Sequence, residues 1–456
     1  MKNSWYLILA LLSGYAAASG QPLWKELFNG VDLNGWIKRN GDAEYRISNN
    51  AIVGISRLNT PNTFLCTPDS YGDFILEMDV KVEPGLNSGI QIRSLSDLSI
   101  MNGRVHGYQI EIDPGDRAWS GGIYDEARSG WLYPMSVNPA GQKAFKNGQW
   151  NTYHIEAIGP SIKTWINGIP CAKLLDPQTS RGFIALQVHG IRKEEQNGLT
   201  VQWRNIRIAT EHLNEMLWPD NDVFEVNTLP NQLSENEKRK GWRLLWDGTT
   251  TNGWRRFNAD VFPKEGWAIK DGVLMVLNSK QDSTHKGGDI ITEGRFSNFE
   301  LELDFRITTG ANSGLKYFVT EDRNKNAKAG LGPEFQILDD KVHPDAKEGV
   351  GGNRTSGSLY DLIAAENLSE GNSDKRMNPP GKWNKLRIVS NDGQIEHWLN
   401  NLKMVEYNRY SQIFRNLIAK SKYSPHPDFG QATAGHILLQ DHSDEVHFRS
   451  IKIREF

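Results

Sequence analysis

Gly332-Pro333-Glu334-Phe335-Gln336-Ile337-Leu338-Asp339 reads as a short strand, and Gly107-Tyr108-Gln109-Ile110-Glu111-Ile112-Asp113-Pro114, far upstream, has the same design. Side chains alternate between the two faces of a strand. Glu334 and Gln336 therefore share one face, as do Gln109, Glu111 and Asp113, while Phe335, Ile337, Ile110 and Ile112 make the opposite faces apolar. A strand with one greasy side and a carboxylate–amide pair on the other suits a sheet that lines a polar cleft. That it occurs twice predicts two copies of one sandwich.

The rest of the chain repeats in the same order. Leu27-Phe28-Asn29-Gly30 with Asn34-Gly35-Trp36 returns as Leu245-Trp246-Asp247-Gly248 with Asn252-Gly253-Trp254. The alternating runs Phe74–Val82 and Phe299–Ile307 each lead into Asn-Ser-Gly, at 87–89 and 312–314. Trp165-Ile166-Asn167-Gly168 matches Trp398-Leu399-Asn400-Asn401, and both Asn pairs signal hairpin turns. Gly182 to His189 matches Gly435 to His442. Self-similarity sustained in order predicts tandem domains. The register drifts because the second copy has gained residues between Asp339 and Tyr360 and between Tyr407 and Gly435. Extra loop length in matched scaffolds is where function diverges.

Regular short strands with turn signals and almost no helical period predict an all-β protein, each copy a jelly roll of two antiparallel sheets. The expected division is a signal peptide at 1–20, copy one at 22–210, a linker at 211–241 and copy two at 242–456. In the linker, Ser234-Glu235-Asn236-Glu237 has the form of a capping box and predicts a short helix. The leader joins a charged start, the apolar run Trp5–Leu12 and small residues at Ala16–Gly20, which predicts export to the periplasm or beyond. No cysteine stands there to take a lipid, and no later stretch is long and apolar enough to span a bilayer. A net charge of −3 gives no reason to expect nucleic acid or an anionic membrane surface. Cys66 and Cys171 sit in apolar contexts and read as buried thiols.

Projecting the matched strands assembles one polar surface per copy. Copy one offers Gln91, Arg93, Gln109, Glu111, Asp113, Tyr124, Gln187 and His189; copy two offers Lys316, Glu334, Gln336, Tyr360, His436, Gln440 and His442. A solvated sheet face is the competing explanation. A Gln-x-His at the same place in both copies favours a site.

Several of these motifs together resemble the 3-keto-disaccharide hydrolase domain family. They are Leu-Phe-Asn-Gly…Asn-Gly-Trp, Asn-Ser-Gly, Glu-Phe-Gln-Ile-Leu-Asp, Gly381-Lys382-Trp383-Asn384, Glu396-His397-Trp398-Leu399-Asn400 and Leu439-Gln440-Asp441-His442. Copy two also carries His343-Pro344-Asp345-Ala346 and Ser421-Lys422-Tyr423, whereas copy one turns Glu-x-Gln into Gln109-x-Glu111. The resemblance implies a concanavalin-like sandwich and cleavage of a glycosidic bond in a sugar already oxidised to a ketone at C3. A sugar oxidoreductase that makes the ketone is then the implied functional partner, and carbohydrate the ligand.

A C3 ketone acidifies the C2 proton, so a base can remove it and the enolate can expel the C1 substituent; water then adds. Such a route needs a base, an enolate stabiliser and a proton for the leaving group. His442 and His189 are the candidate bases. Lys316, Lys422 or Arg93 could stabilise the enolate, and Glu334 or Glu111 could orient the base or handle the leaving-group proton, with Gln336 beside them. Gln440, Tyr360, His436, His343, Lys422, Gln187, Gln109, Asp113, Tyr124 and Trp131 are the candidate sugar contacts.

Three rival readings compete. A retaining glycosidase needs two facing carboxylates; Glu111-Ile112-Asp113 begins such a pattern, but copy two offers only Glu334. A tandem carbohydrate-binding protein, or one catalytic and one binding copy, would use aromatic loops such as Trp119, Trp131 and Tyr133. A divalent metal is left open: Glu111, Asp113 and His189, or Glu334, His343 and His442, supply oxygen and nitrogen donors without tight ligand spacing.

Overall fold

The structure, a computed structural model, describes residues 24–219, 222–280, 287–321 and 330–456. The apolar leader lies outside them. Among the described residues each copy is a pair of antiparallel sheets. In copy one a nine-stranded back sheet faces a seven-stranded site sheet, whose order is 130–133, 123–126, 106–112, 88–95, 182–188, 63–71, 37–40. In copy two an eight-stranded back sheet faces a five-stranded site sheet in the order 254–256, 290–292, 436–439, 312–319, 334–338.

The alternation seen in sequence is what packs the sandwich. Phe74, Leu76, Met78, Val80 and Val82 from one back sheet, and Phe299, Leu301, Leu303, Phe305 and Ile307 from the other, are buried against Ile110, Ile112, Phe335 and Ile337 of the site sheets. The predicted hairpins close as expected: Asn167, Gly168, Asn400 and Asn401 all have positive φ, as a type I′ turn demands. Cys66 and Cys171 are free, buried thiols whose pKa burial pushes up to about 12.

Alternation fails in the site sheet of each copy at matched positions. Arg93 and Phe318 adopt φ of 46° and 56°, and the pairing register breaks there. A β-bulge of this kind swaps the faces of the residues beyond it. The bulged backbone presses on Gly182 and Gly435 of the neighbouring strand, where an added Cβ would lie 2.4 Å and 2.3 Å from the carbonyl carbons of Arg93 and Phe318. The repeated glycine that opens each Gln-x-His strand is thus required by close approach.

The linker is woven into both copies. Val226–Asn227 adds a parallel edge to the Ile169–Leu175 strand, and Trp218 stacks on His154 at 4.0 Å. Its helix, Glu235–Arg239, carries the expected Ser234/Glu237 capping box. A second helix, Gln412–Ala419, occupies the copy-two insertion and buries Phe414 and Ile418. The β-only expectation missed that helix because its apolar stripe, Phe414, Leu417 and Ile418, covers little more than one turn. Among the described residues no helix is long and apolar enough to cross a membrane.

Glu237 of the linker helix meets Lys452 of the last strand, and Lys452 also lies 3.0 Å from Glu302. Burial alone would raise the Glu302 pKa, but Lys452, Lys385 and Arg387 hold it down at about 2. Removing one member of a buried ionic set strands the others. Lys452→Met should cost about 3–5 kcal/mol in urea unfolding. A carboxyl held below its ordinary 4.5 stabilises the fold above that pH, and the gain is lost as pH falls toward 2. Glu302→Gln should therefore flatten the acid limb of the wild-type stability curve in that window; an unchanged limb would refute the assignment.

Candidate active site in the second copy and its altered twin

On the site sheet of copy two, Lys316 and Glu334 are a cross-strand pair, their Nζ and Oε2 atoms 3.7 Å apart. Glu334 can lie flat across the next strand only because position 314 is glycine: a Cβ there would stand 2.2 Å from Glu334 Oε1. The carboxyl is 4% exposed. Burial raises its pKa, with the Lys316 and Lys422 ammoniums opposing. Lys316 also donates to the Gly330 carbonyl at 3.2 Å.

A ring of side chains completes the cluster. The Lys422 ammonium sits 3.9 Å from the Tyr360 ring centre, and its enclosure lowers its pKa despite the help of Glu334 and Asp361. Tyr360 Oη donates to Asp345 at 2.8 Å, and Arg354 ties Asp345 at 3.0 Å to Asp361 at 2.7 Å. His442 follows the Gln440 backbone past the strand end. Its ring reaches the surface, yet the walls around it, and the Lys316 charge second, lower its pKa and keep it neutral. His343 is close enough to add to that effect, and its Nδ1 caps the 3-10 turn at Asp345. Gln440 Oε1 is buried with no hydrogen-bond partner among the described residues. Gln336 lies on the same face, its Oε1 turned back to the Ile337 amide.

Asp289 belongs to this cluster and was missed by sequence reasoning. It accepts from the Asp441 amide at 3.0 Å, and burial raises its pKa against the pull of Lys316. Matching the repeats hid it: Phe64 lies opposite Gln187 in copy one, where Asp289 follows the register of Ile290 opposite Leu439. No repeated acid marks the spot.

Copy one keeps the scaffold and changes the chemistry. Its cross-strand pair is Gln91 and Gln109. Gln109 accepts from Gln91 and from Gln187, both at 2.7 Å, and donates to Glu111 at 3.0 Å. Asn87 donates to the other Glu111 oxygen at 2.7 Å. Burial raises Glu111 to about 7, and Asn87, Arg117 and Gln109 only partly offset it. Asp113 is turned to Arg117 at 2.8 Å. His189, its pKa lowered by burial, lines a cleft of about 740 Å³ with Arg104, Asn62 and Arg192. Tyr124 and Trp131 meet edge to face at 5.2 Å.

Two expected site residues lie elsewhere. Arg93 is turned out of the cleft by its bulge and clamps the backbone instead, donating to the Gly72 and Gly159 carbonyls and to Asp73. His436 is on the right face but at the far end of the sheet, its Nδ1 held by the Thr292 and Gly294 carbonyls at 2.7 Å and 3.1 Å. Neither metal set named from sequence is assembled: among the described residues no three His, Cys, Asp or Glu side chains are arranged to hold a metal ion.

Glu111 gives a direct check. Between 4.5 and about 7 the folded state binds the extra proton, so stability falls as pH rises and the penalty is full above 7. Wild-type protein should lose on the order of 2–3 kcal/mol between pH 5 and pH 8 that Glu111→Gln retains, measured by urea melts at each pH. Parallel curves for the two proteins would remove Glu111 from the account.

The family model of the 3-keto-alpha-glucoside-1,2-lyase-like domain matches residues 23–209 and again 241–454. A 3-keto-disaccharide hydrolase from Bacteroides thetaiotaomicron is 33% identical over 234 residues, spanning 47% of this chain and 78% of that protein. A solved structure of a proposed glycosyl hydrolase from Parabacteroides distasonis is 33% identical, covering 50% of this chain and 100% of that one, with a TM-score of 0.44. A second from the same organism is 26% identical with a TM-score of 0.36, covering 47% and 99%.

Proposed function

Because the chain belongs, through both its copies, to the 3-keto-alpha-glucoside-1,2-lyase-like family, we propose that it cleaves 3-keto-α-glucosides and that copy two does the chemistry. The observation that carries this reading is the buried Lys316–Glu334 pair, flanked on one sheet face by Lys422 and His442. It meets the three needs of an elimination.

Neutral His442 takes the C2 proton, and the electron pair forms the enolate on the C3 oxygen, which Lys422 and Lys316 stabilise. The enolate collapses to a ketone conjugated with a new C1–C2 double bond, and the C1–oxygen bond breaks. Glu334, whose pKa burial raises against the pull of the Lys316 and Lys422 ammoniums, supplies the proton to the leaving oxygen. Water adds at C1 and a proton returns to C2, so the net result is hydrolysis. Copy one lacks this pair and has amides in its place, which favours binding over catalysis there. The apolar leader supports export of the protein to an oxidised-sugar supply outside the cytoplasm.

His442→Gln in the full chain should lower turnover of 3-keto-maltose by on the order of 10²–10⁴ while melting stays near native. Gly314→Ala should do similar damage by pushing the flexible Glu334 carboxyl aside. Unoxidised maltose should survive untouched, since its C2 proton is far too weakly acidic for an imidazole. Turnover retained without His442, or rapid cleavage of maltose itself, would overturn the mechanism.

A further inference from the structure

The site sheet of copy one is closed by a piece of copy two. Arg117, which holds Asp113, also lies 3.9 Å from Glu370 of the second copy. Glu370 is gripped in turn by Arg376 through two hydrogen bonds at 2.7 Å and 2.8 Å. The Arg376 guanidinium stands 5.8 Å from the Trp119 ring, while Arg117 lies 4.6 Å and 5.0 Å from the rings of Trp119 and Trp131. Tyr124 sits at the junction. Burial raises its hydroxyl pKa, Glu126 and Glu111 add to the rise, and Arg104 and the second copy's Arg376 oppose it. Arg104, paired to Glu126 at 2.8 Å, reaches on into the cleft beside His189.

We infer that the two copies together build a second saccharide site, distinct from the Glu334 cluster, in which Arg376 of copy two completes the Tyr124–Trp131 platform of copy one. The site is charge-balanced: Arg104 with Glu126, Arg117 with Asp113, Arg376 with Glu370. Balanced guanidinium–carboxylate forks offer spare donors and lone pairs in fixed planes, which suit the paired hydroxyls of a neutral sugar and give no preference for an ion. Half-exposed aromatic rings supply the apolar surface a pyranose ring stacks on. Three strands from Tyr124 in the same sheet, Gln187 Oε1 is fully buried without a hydrogen-bond partner among the described residues. The neighbouring cleft that Arg104 lines with His189, and that Tyr124, Trp131 and Arg376 do not line, has a volume of about 740 Å³. The ligand assigned is therefore a neutral α-glucoside.

The inference rests on the carbohydrate reading above but not on its chemistry, so it is tested in the full-length His442→Gln protein by calorimetric titration with maltose and with 3-keto-maltose. Two separable sites are expected. Arg376→Ala should weaken one at least tenfold and leave the other. Lys422→Ala should do the reverse. Tyr124→Phe, which removes a single hydroxyl and leaves the fold unchanged, should weaken the Arg376-dependent site severalfold. The proposal fails if one site alone is seen and Lys422→Ala abolishes it, if Arg376→Ala and Tyr124→Phe leave both sites intact, or if the second site takes methyl glucuronoside in preference to maltose. Failure of the catalytic reading would show instead as wild-type protein that binds 3-keto-maltose and does not turn it over.

Discussion

Placing a carboxylate under a sheet surface costs several kcal/mol unless a counter-charge or donors meet it, and each copy answers that constraint differently. In copy two Glu334 faces an ammonium across the strand, and a second ammonium stands near. In copy one the carboxylate has moved two residues along the strand, to Glu111, and an amide ladder spreads its cost over three strands. The glycine of each Asn-Ser-Gly motif follows from the same constraint. At Gly89 an added Cβ would lie 2.4 Å from Gln109 Cδ, so both copies need an empty position for the neighbouring long side chain to lie across.

Much of this was legible in the residues. Period-two alternation marks the core faces, and the tandem matches locate both sites, because packing and pairing act locally and repeat. What stayed hidden was non-local. Arg93 looks cleft-facing by parity, but one residue in the left-handed region inverts the count, and nothing in Gln91-Ile92-Arg93 announces the bulge except the distant Gly182 that makes room for it. Asp289 escaped notice because comparison of copies rewards what they share, and this acid is where they differ. Glu370 and Arg376 were invisible for another reason: they sit between Tyr360 and Trp383, a stretch that copy one closely matches in length but not in residues, and their importance comes from where the first copy places Arg117.

Divergence between the copies is concentrated at a few cross-strand pairs. The apolar skeleton, the hairpin turns and the bulges are held in common, as expected where fold and function are set by different residues. Changing Lys316–Glu334 to Gln91–Gln109 alters which protons can move without altering the sheet that carries them. Tyr124 and Tyr360, or Gln187 and Gln440, keep their places on the matched faces.

The position of the last strand has a consequence for how the chain comes to be folded. Val446–Glu455 pairs with Phe299–Ile307 on one side and with Val273–Val276 on the other, so the middle of the copy-two back sheet stays open until the final residues are available. Lys452 lies in that strand and anchors the linker helix through Glu237. Copy one, whose own central strand Thr200–Ala209 is complete much earlier, can fold while the rest of the chain is still emerging. Copy two must wait for Val446–Glu455 and close over contacts far apart in sequence, the slow and exposed kind of step. The topology thus favours a first copy that is finished when the second one locks, with the linker helix secured in that same step through Glu237 and Lys452.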